Sequence, residues 1–322
     1  MLFIIQPLAL YFALFCFTFS VFIFLLGGAL RNEKLKTRLS YSILCLLFIP
    51  DFLPHFKDQP ILFLGAAFYV IRQMMTVTEG IKKRKTVFDF LASLLLATFF
   101  FASLPSGPVY NGFDAWEQFK ERKAASFKEG LYRITEGFAY LFAISGFVHV
   151  AMDYLNGLSL YSDNNFALMT YTLSSILLNA ILSFGFLFST FYGYSRMAEG
   201  SALLMGFSVP ENFNKPHLSR DLADFWQRWH RSMAKFVVQY IYFPLLVSYK
   251  NARLAIIAAF LFMGIWHDFT LGFILWGLGH GIALSYAVPW LNKNCSSTVL
   301  VRIISLSYVL FLSSIAHGNF IL

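Results

Sequence analysis

One stretch of the chain, residues 210–281, contains in order PENFNKP (210–216), FWQRWH (225–230), GIWH (264–267) and WGLGHG (276–281). Histidines, tryptophans and arginines gather here, although most of the chain is apolar. Polar side chains are costly in a bilayer and usually serve a function there. This stretch therefore holds the first candidates for a functional site.

The composition is typical of a polytopic helical membrane protein. Of the 322 residues, 58% are hydrophobic and only 13% are charged, whereas about a quarter of the residues of soluble domains are charged. The positive charges, +8 net, lie between apolar runs, as in cytoplasmic loops. We therefore expect no nucleic acid as a partner. The three cysteines show no ligand spacing, which argues against a disulfide framework or a zinc site.

The apolar runs predict an all-α integral membrane protein with roughly nine or ten membrane segments. The first run, 8–30, precedes a basic loop and is interpreted as an uncleaved helix with its N-terminus outside. Arg72 lies inside the third run, and its charge is expected to snorkel to the headgroups. A basic amphipathic segment, 116–133, predicts a helix on the cytoplasmic surface. That location conflicts with simple alternation of the spans, so the topology of 105–133 stays open.

We interpret the whole chain, 1–322, as a single polytopic membrane domain. It would comprise N-terminal helices (1–134), a core with the motifs (135–290) and a C-terminal helix (291–322). Within the core, Ser219 is the expected N-cap of one amphipathic helix that continues to Val237.

The motifs quoted above, together with YIYFPL (240–245), resemble in their order the membrane-bound O-acyltransferase (MBOAT) family, and its bacterial DltB/AlgI-like branch most closely. The resemblance covers about 191–284, and a weaker one, to the Gly-Pro turn of the family, lies at 106–108. Two residues depart from the family pattern, Arg196 in place of an aspartate and Asp268 in place of a glycine. The chain is also shorter than is usual for the family, which implies that C-terminal helices are missing.

This resemblance implies a bowl of helices around a central tunnel, in the inner (cytoplasmic) membrane. It implies no bound cofactor and an acyl donor that is a thioester of an acyl carrier protein or of coenzyme A. The acceptor would be a hydroxyl of a cell-envelope glycan, polymer or partner protein. A secreted or membrane-tethered, esterase-like partner often completes the transfer. The identity of the acyl group (acetyl, D-alanyl or similar), the acceptor and the oligomeric state stay open.

The resemblance also places the catalytic residues at His267, the family's invariant histidine, and His230, its second recurrent one. An alcohol needs a base to remove its proton, and a neutral buried imidazole suits this role, which we assign to His267. His230 would orient the thioester or stabilise the oxyanion. Arg228 and Arg231 would hold a donor phosphate or the acidic face of a carrier. The candidates for binding substrate or donor are Asn212, Trp226, Arg228, Trp229, Arg231, Trp266 and His280.

Simpler interpretations of these residues stay open. The glycines beside His280 also suit tight helix packing, the tryptophans suit packing and interface belts, and the two arginines suit a solvated face. No carboxylate joins the histidines at ligand spacing, so we predict no metal site. A non-catalytic conduit or scaffold for a partner enzyme is the alternative function. A secondary transporter is disfavoured because the chain shows no internal repeat.

Overall fold

The computed structural model of the protein describes residues 7–30, 32–43, 60–99, 107–121, 126–158 and 165–316. Every regular element in these ranges is helical, as the apolar runs predict. The chain forms two compact units. The first unit is Met1–Ile134 with Ser195–Pro210, and the second is Thr135–Tyr194 with Glu211–Leu322.

The helices up to the motif stretch are α1 (Pro7–Ala29), α2 (Glu33–Tyr41), α3 (Pro60–Lys82), α4 (Val87–Phe99), α5 (Gly112–Lys120), α6 (Phe127–Phe138), α7 (Ser145–Leu158) and α8 (Asn165–Leu204). Those that follow are α9 (Leu222–Arg228), α10 (Arg231–Val237), α11 (Phe243–Tyr249), α12 (Ala252–His267), α13 (Leu271–Ile282), α14 (Val288–Asn294) and α15 (Thr298–Ala316). Single π-helical turns join α6 to α7, α10 to α11, and α13 to α14.

Several helices of the described chain are long and apolar enough to cross a membrane. They are Phe127–Leu155, Leu177–Leu204, Leu271–Asn294 and Thr298–Ala316. Shorter apolar helices cover Leu14–Ala29, Val87–Thr98 and Ala252–His267. These helices support a multi-pass membrane protein, whereas the number of nine or ten segments stays a prediction. One of the predicted segments, the apolar run 39–53, lies mostly outside the described residues.

The prediction of one surface helix over 116–133 is wrong. Helix α5 begins at the N-cap Asn111, whose side chain accepts a hydrogen bond from the amide of Phe113, and it ends at Lys120. The second half of the segment belongs to the apolar helical stretch Phe127–Leu155. Its backbone hydrogen bonding continues into the apolar run that follows, so the basic residues there lie at the start of a candidate span.

Arg72 does not snorkel, because its side chain in α3 is fully buried within the first unit. Its guanidinium carbon lies 5.3 Å from the ring centre of Tyr110. The next residue, Gln73, accepts a hydrogen bond from Ser20 (2.8 Å) and donates one to Thr98 (2.9 Å). Since α3 packs against α1, α4 and α5, the charged end of Arg72 is enclosed by protein and does not reach the headgroups.

A buried group of charges also belongs to the first unit. Glu199, 2% exposed, accepts hydrogen bonds from Arg133 (3.2 Å) and Arg196 (2.9 Å). Arg133 also contacts the more exposed Glu129 at 2.7 Å. The arginine that departs from the family pattern at position 196 is therefore neutralised by a glutamate one helical turn later.

Close packing of α12 against α13 forms the scaffold of the second unit. The two helices approach each other at glycines, where a Cβ atom on Gly264 would overlap the carbonyl oxygen of Phe273. A Cβ atom on Gly281 would lie 2.7 Å from the Cα atom of Ile257. Small residues allow such backbone contact between membrane helices. This contact fixes the separation of the histidines that the two helices carry.

We expect Gly264→Ala to lower the free energy of unfolding by about 1–3 kcal/mol, because the new methyl group has no room. Gly185 on α8 is a matched control, since a Cβ atom there would meet nothing within 4 Å. Gly185→Ala should be neutral or slightly stabilising, because alanine favours a helix by up to about 1 kcal/mol. Thermal unfolding of both variants in the same detergent measures the difference, and equal stability would contradict the packing argument.

Candidate active site

The loop that precedes α9 is joined by hydrogen bonds to the junction between α9 and α10. The carbonyl oxygen of Asn212 accepts a hydrogen bond from the amide of Arg231 (2.9 Å). The amide of Asn214 donates to the carbonyl oxygen of Arg228, also at 2.9 Å. These hydrogen bonds therefore hold the PENFNKP loop, called the PENF loop below, against the end of the FWQRWH motif.

The single helix predicted from Ser219 to Val237 is wrong in two respects. Its N-cap is Asp221, whose side chain accepts a hydrogen bond from the amide of Asp224. The helix also breaks at His230, which has φ 43°. The hydrogen bonds from the PENF loop take the place of helical ones at this break. A left-handed backbone is uncommon for a residue other than glycine and draws attention to the site.

His230 is buried at this break, with 3% of its surface exposed. Its Nδ1 atom lies 3.2 Å from Oδ1 of Asn212, and the hydroxyl of Ser232 donates to the same oxygen at 2.5 Å. Its ring contacts Phe191 edge-on, with the ring centres 4.7 Å apart. Burial, and next the charge of His267, hold the pKa of His230 well below its usual range. This imidazole is therefore neutral at physiological pH.

His267 is the last residue of α12 and lies beside Trp266, with ring centres 4.6 Å apart. Trp266 also contacts His230, at 6.1 Å between ring centres, so the indole lies next to both imidazoles. Phe273 and Trp276 of α13 complete the surroundings of His267, at 5.4 and 5.5 Å. His267 is half-buried, whereas we expected a buried imidazole from the sequence.

His280 is fully buried among aromatic rings. The centres of Trp226, Trp276 and Tyr308 lie 5.0, 4.9 and 5.5 Å from its own. Neither of its ring nitrogens has a hydrogen-bond partner within the part of the chain that the structure describes. Trp276 contacts both His280 and His267, so His280 lies one ring away from the candidate base.

The two tryptophans of the FWQRWH motif have different surroundings. Trp226 contacts the ring of His280, whereas Trp229 packs on Phe184, Phe213 and Phe225 at 5.2, 5.1 and 5.6 Å. The structure therefore places Trp226 at the histidine cluster. Trp229 lies in an aromatic group that supports the break at His230.

The two arginines of the motif stretch also differ. Arg228 donates to Asp224 at 2.8 Å. Burial alone would raise the pKa of Asp224, but this hydrogen bond and one from the amide of Arg220 hold it below its usual value. Arg231 has an exposed side chain. Arg228 is therefore held in an ion pair with Asp224, whereas Arg231 extends from an exposed position.

Sequence reasoning missed Ser232, which is buried and hydrogen-bonded to the same oxygen as His230. Its only signal was a polar residue two positions after the histidine, beside an apolar helical face. Among the described residues, no three of His, Cys, Asp and Glu lie together as metal ligands would. Of the segment 105–133, whose topology the sequence left open, residues 105, 106 and 122–125 lie outside the described ranges.

Comparison with known proteins identifies the family. Residues 85–319 match the model of the MBOAT, membrane-bound O-acyltransferase family. The chain therefore belongs to this family, which confirms the resemblance found in the motifs.

Several curated relatives are similar to this chain. A probable alginate O-acetylase AlgI of Pseudomonas syringae pv. tomato is 28% identical over 284 residues, which are 82% of this chain and 51% of the relative. A teichoic acid D-alanyltransferase of Bacillus subtilis is 28% identical over 80% of this chain and 69% of its own length. A peptidoglycan O-acetyltransferase of Helicobacter pylori is 33% identical over 58% of this chain and 35% of its own length. The chain thus spans about half the length of the AlgI relative that it matches.

Proposed function

We propose that this protein is a membrane-bound O-acyltransferase, with His267 and His230 as its catalytic residues. The observation that carries the proposal is the placement of these two imidazoles beside the same indole, that of Trp266, within the matched family region. The motifs that supply them are far apart in sequence, yet the fold brings them to one aromatic cluster.

In the proposed reaction, the oxygen of an acceptor hydroxyl bonds to the carbonyl carbon of an acyl thioester. His267 removes the hydroxyl proton as the bond forms. The C–S bond then breaks, its electron pair goes to sulfur, and the resulting thiolate takes the proton from the imidazolium. This cycle yields an ester and a free thiol and leaves His267 neutral. Its half-buried position suits this role, because a base that exchanges protons must meet the substrate.

We propose a thioester of an acyl carrier protein or of coenzyme A as the donor, reaching the site from the cytoplasm. The exposed Arg231 would bind the donor phosphate, because a guanidinium pairs well with phosphate oxygens. Trp226, Trp266 and His280 would line the path of the acyl group. The acceptor would be a hydroxyl of a cell-envelope glycan, polymer or partner protein. The relatives' names support this choice, since they act on alginate, teichoic acid and peptidoglycan. The protein would lie in the inner membrane.

The experiment is acyl transfer by the purified chain in lipid nanodiscs. Acetyl-coenzyme A and D-alanyl carrier protein are offered as donors, each with alginate, teichoic acid or peptidoglycan fragments. We expect mass spectrometry to find a new ester with at least one pair, and the His267→Ala protein to form it at least about 100-fold more slowly. Transfer that needs an added partner enzyme and persists in His267→Ala would instead support a conduit. No ester with any pair, even after adding a cell-envelope extract, would reject the proposal.

A further inference from the structure

We infer that Asn212 and Ser232 are positioning residues that hold His230 with its proton on Nδ1, so that Nε2 carries the lone pair and can act only as a hydrogen-bond acceptor. The role toward a substrate rests on the proposed acyl transfer. The position of the proton does not, because it follows from contacts within the protein.

The hydrogen bonds around Asn212 define the tautomer. Its Oδ1 atom accepts a hydrogen bond from the hydroxyl of Ser232 at 2.5 Å and lies 3.2 Å from Nδ1 of His230. An amide oxygen only accepts hydrogen bonds, and its two lone pairs can serve both groups. Nδ1 must therefore be the nitrogen that donates. A neutral imidazole has a single N–H group, so Nε2 keeps its lone pair.

The backbone fixes both partners of this hydrogen bond. Asn212 is fully buried, and its carbonyl oxygen is tied to the amide of Arg231, the residue that follows His230. His230 itself has the left-handed backbone that ends α9 and begins α10. The same backbone hydrogen bond, from the amide of Arg231 to the carbonyl oxygen of Asn212, thus positions both the side chain of Asn212 and the imidazole of His230. A ring supported in this way keeps one orientation, as a preorganised site requires.

This tautomer decides between the two roles considered for His230. An oxyanion needs a hydrogen-bond donor, and Nε2 without a proton does not supply one. The role left to His230 toward a substrate is to accept a hydrogen bond from an N–H or O–H group of that substrate. Besides burial, the charge of His267 lowers the pKa of His230. When His267 takes up a proton during the reaction, its charge favours the neutral form of His230 further.

The direct test is ¹⁵N NMR of the full chain in bilayers with labelled histidine, in which His230→Gln identifies the signals of His230. We expect a protonated Nδ1 and an unprotonated Nε2 in the wild-type protein at neutral pH. In Asn212→Leu, which removes the acceptor, the proton should move to Nε2. A protonated Nε2 in the wild-type protein, or an unchanged tautomer in a folded Asn212→Leu protein, would overturn the inference.

Kinetics give a second readout. We expect Asn212→Leu to lower kcat/KM about 10- to 100-fold, the typical effect of losing a partner that orients a functional histidine. Asn212→Asp, which still accepts from Nδ1, should retain much more activity, and Ser232→Ala should have a smaller effect than Asn212→Leu. Asn111→Leu is the matched control, because Asn111 is also a buried asparagine that accepts a hydrogen bond. It should lower stability but leave kcat/KM and the tautomer unchanged.

The two proposals fail in different ways. A wild-type protein that forms no ester but shows the Nδ1 proton would reject the acyl transfer and keep the positioning of His230. A wild-type protein that forms esters but carries the proton on Nε2 would keep the transfer and reject the positioning.

Discussion

His267→Ala is expected to reduce the rate of acyl transfer by about 10²- to 10⁴-fold, the usual contribution of a well-placed general base. The alanine removes the only nitrogen base of α12 that lies against Trp266. His267→Gln should lose a similar factor, because an amide keeps polarity and size but does not take up a proton at neutral pH. The measurement is the rate of ester formation with saturating donor, at equal amounts of folded protein.

The matched control is His217→Ala. His217 belongs to the second unit, in the loop that precedes α9, and its side chain is exposed. Its backbone oxygen accepts a hydrogen bond from Arg302 at 2.8 Å, and alanine keeps that oxygen. Its activity should equal that of the wild-type protein. A folded His267→Gln protein with the wild-type rate would exclude proton transfer by this imidazole.

Glu199→Ala is expected to lower the free energy of unfolding by about 3–5 kcal/mol, the usual cost of removing one partner from a buried ion pair. Two guanidinium groups, those of Arg133 and Arg196, contact this carboxylate and are themselves only 19% and 14% exposed. Without Glu199, the two guanidinium charges would lose the opposite charge of this carboxylate at a site that water reaches poorly. Denaturant titration of the protein in detergent measures the loss.

Glu129→Ala provides the control for the same arginine. Glu129 contacts Arg133 at 2.7 Å but is 46% exposed. Pairs of this kind contribute about 0.2–1 kcal/mol, so its loss should be small. Replacing Glu199, Arg133 and Arg196 together by leucine should cost much less than Glu199→Ala, because no unpaired buried charge then remains in this cluster. If Glu199→Ala and Glu129→Ala cost the same, burial does not strengthen this cluster.

The successful predictions rest on features that are local in sequence. The apolar runs predicted helices such as α12 and α13, because the length and periodicity of a run are visible without its partners. The glycines beside His280 predicted the close packing that the structure shows at Gly281. The ordered motifs identified the family, which the match over 85–319 confirms.

The unsuccessful predictions depended on groups distant in sequence. Arg72 was expected at the headgroups, but helices from other parts of the chain enclose it. The continuous helix through His230 was a sound expectation from periodicity. It fails because a loop 18 residues earlier supplies competing hydrogen bonds. The roles of Trp226, Trp229, Arg228, Arg231 and His280 stay predictions, although their surroundings are now defined.

Run lengths and the order of short motifs were enough to assign a helical membrane protein of the MBOAT family. These features do not depend on how the helices are arranged, because the thickness of the bilayer sets the length and apolar character of each span. The break at His230, its contact with Asn212 and Ser232, and the half-exposure of His267 depend on tertiary structure. Hydrogen bonds and burial are set by atoms that meet only after folding, so no local pattern encodes them.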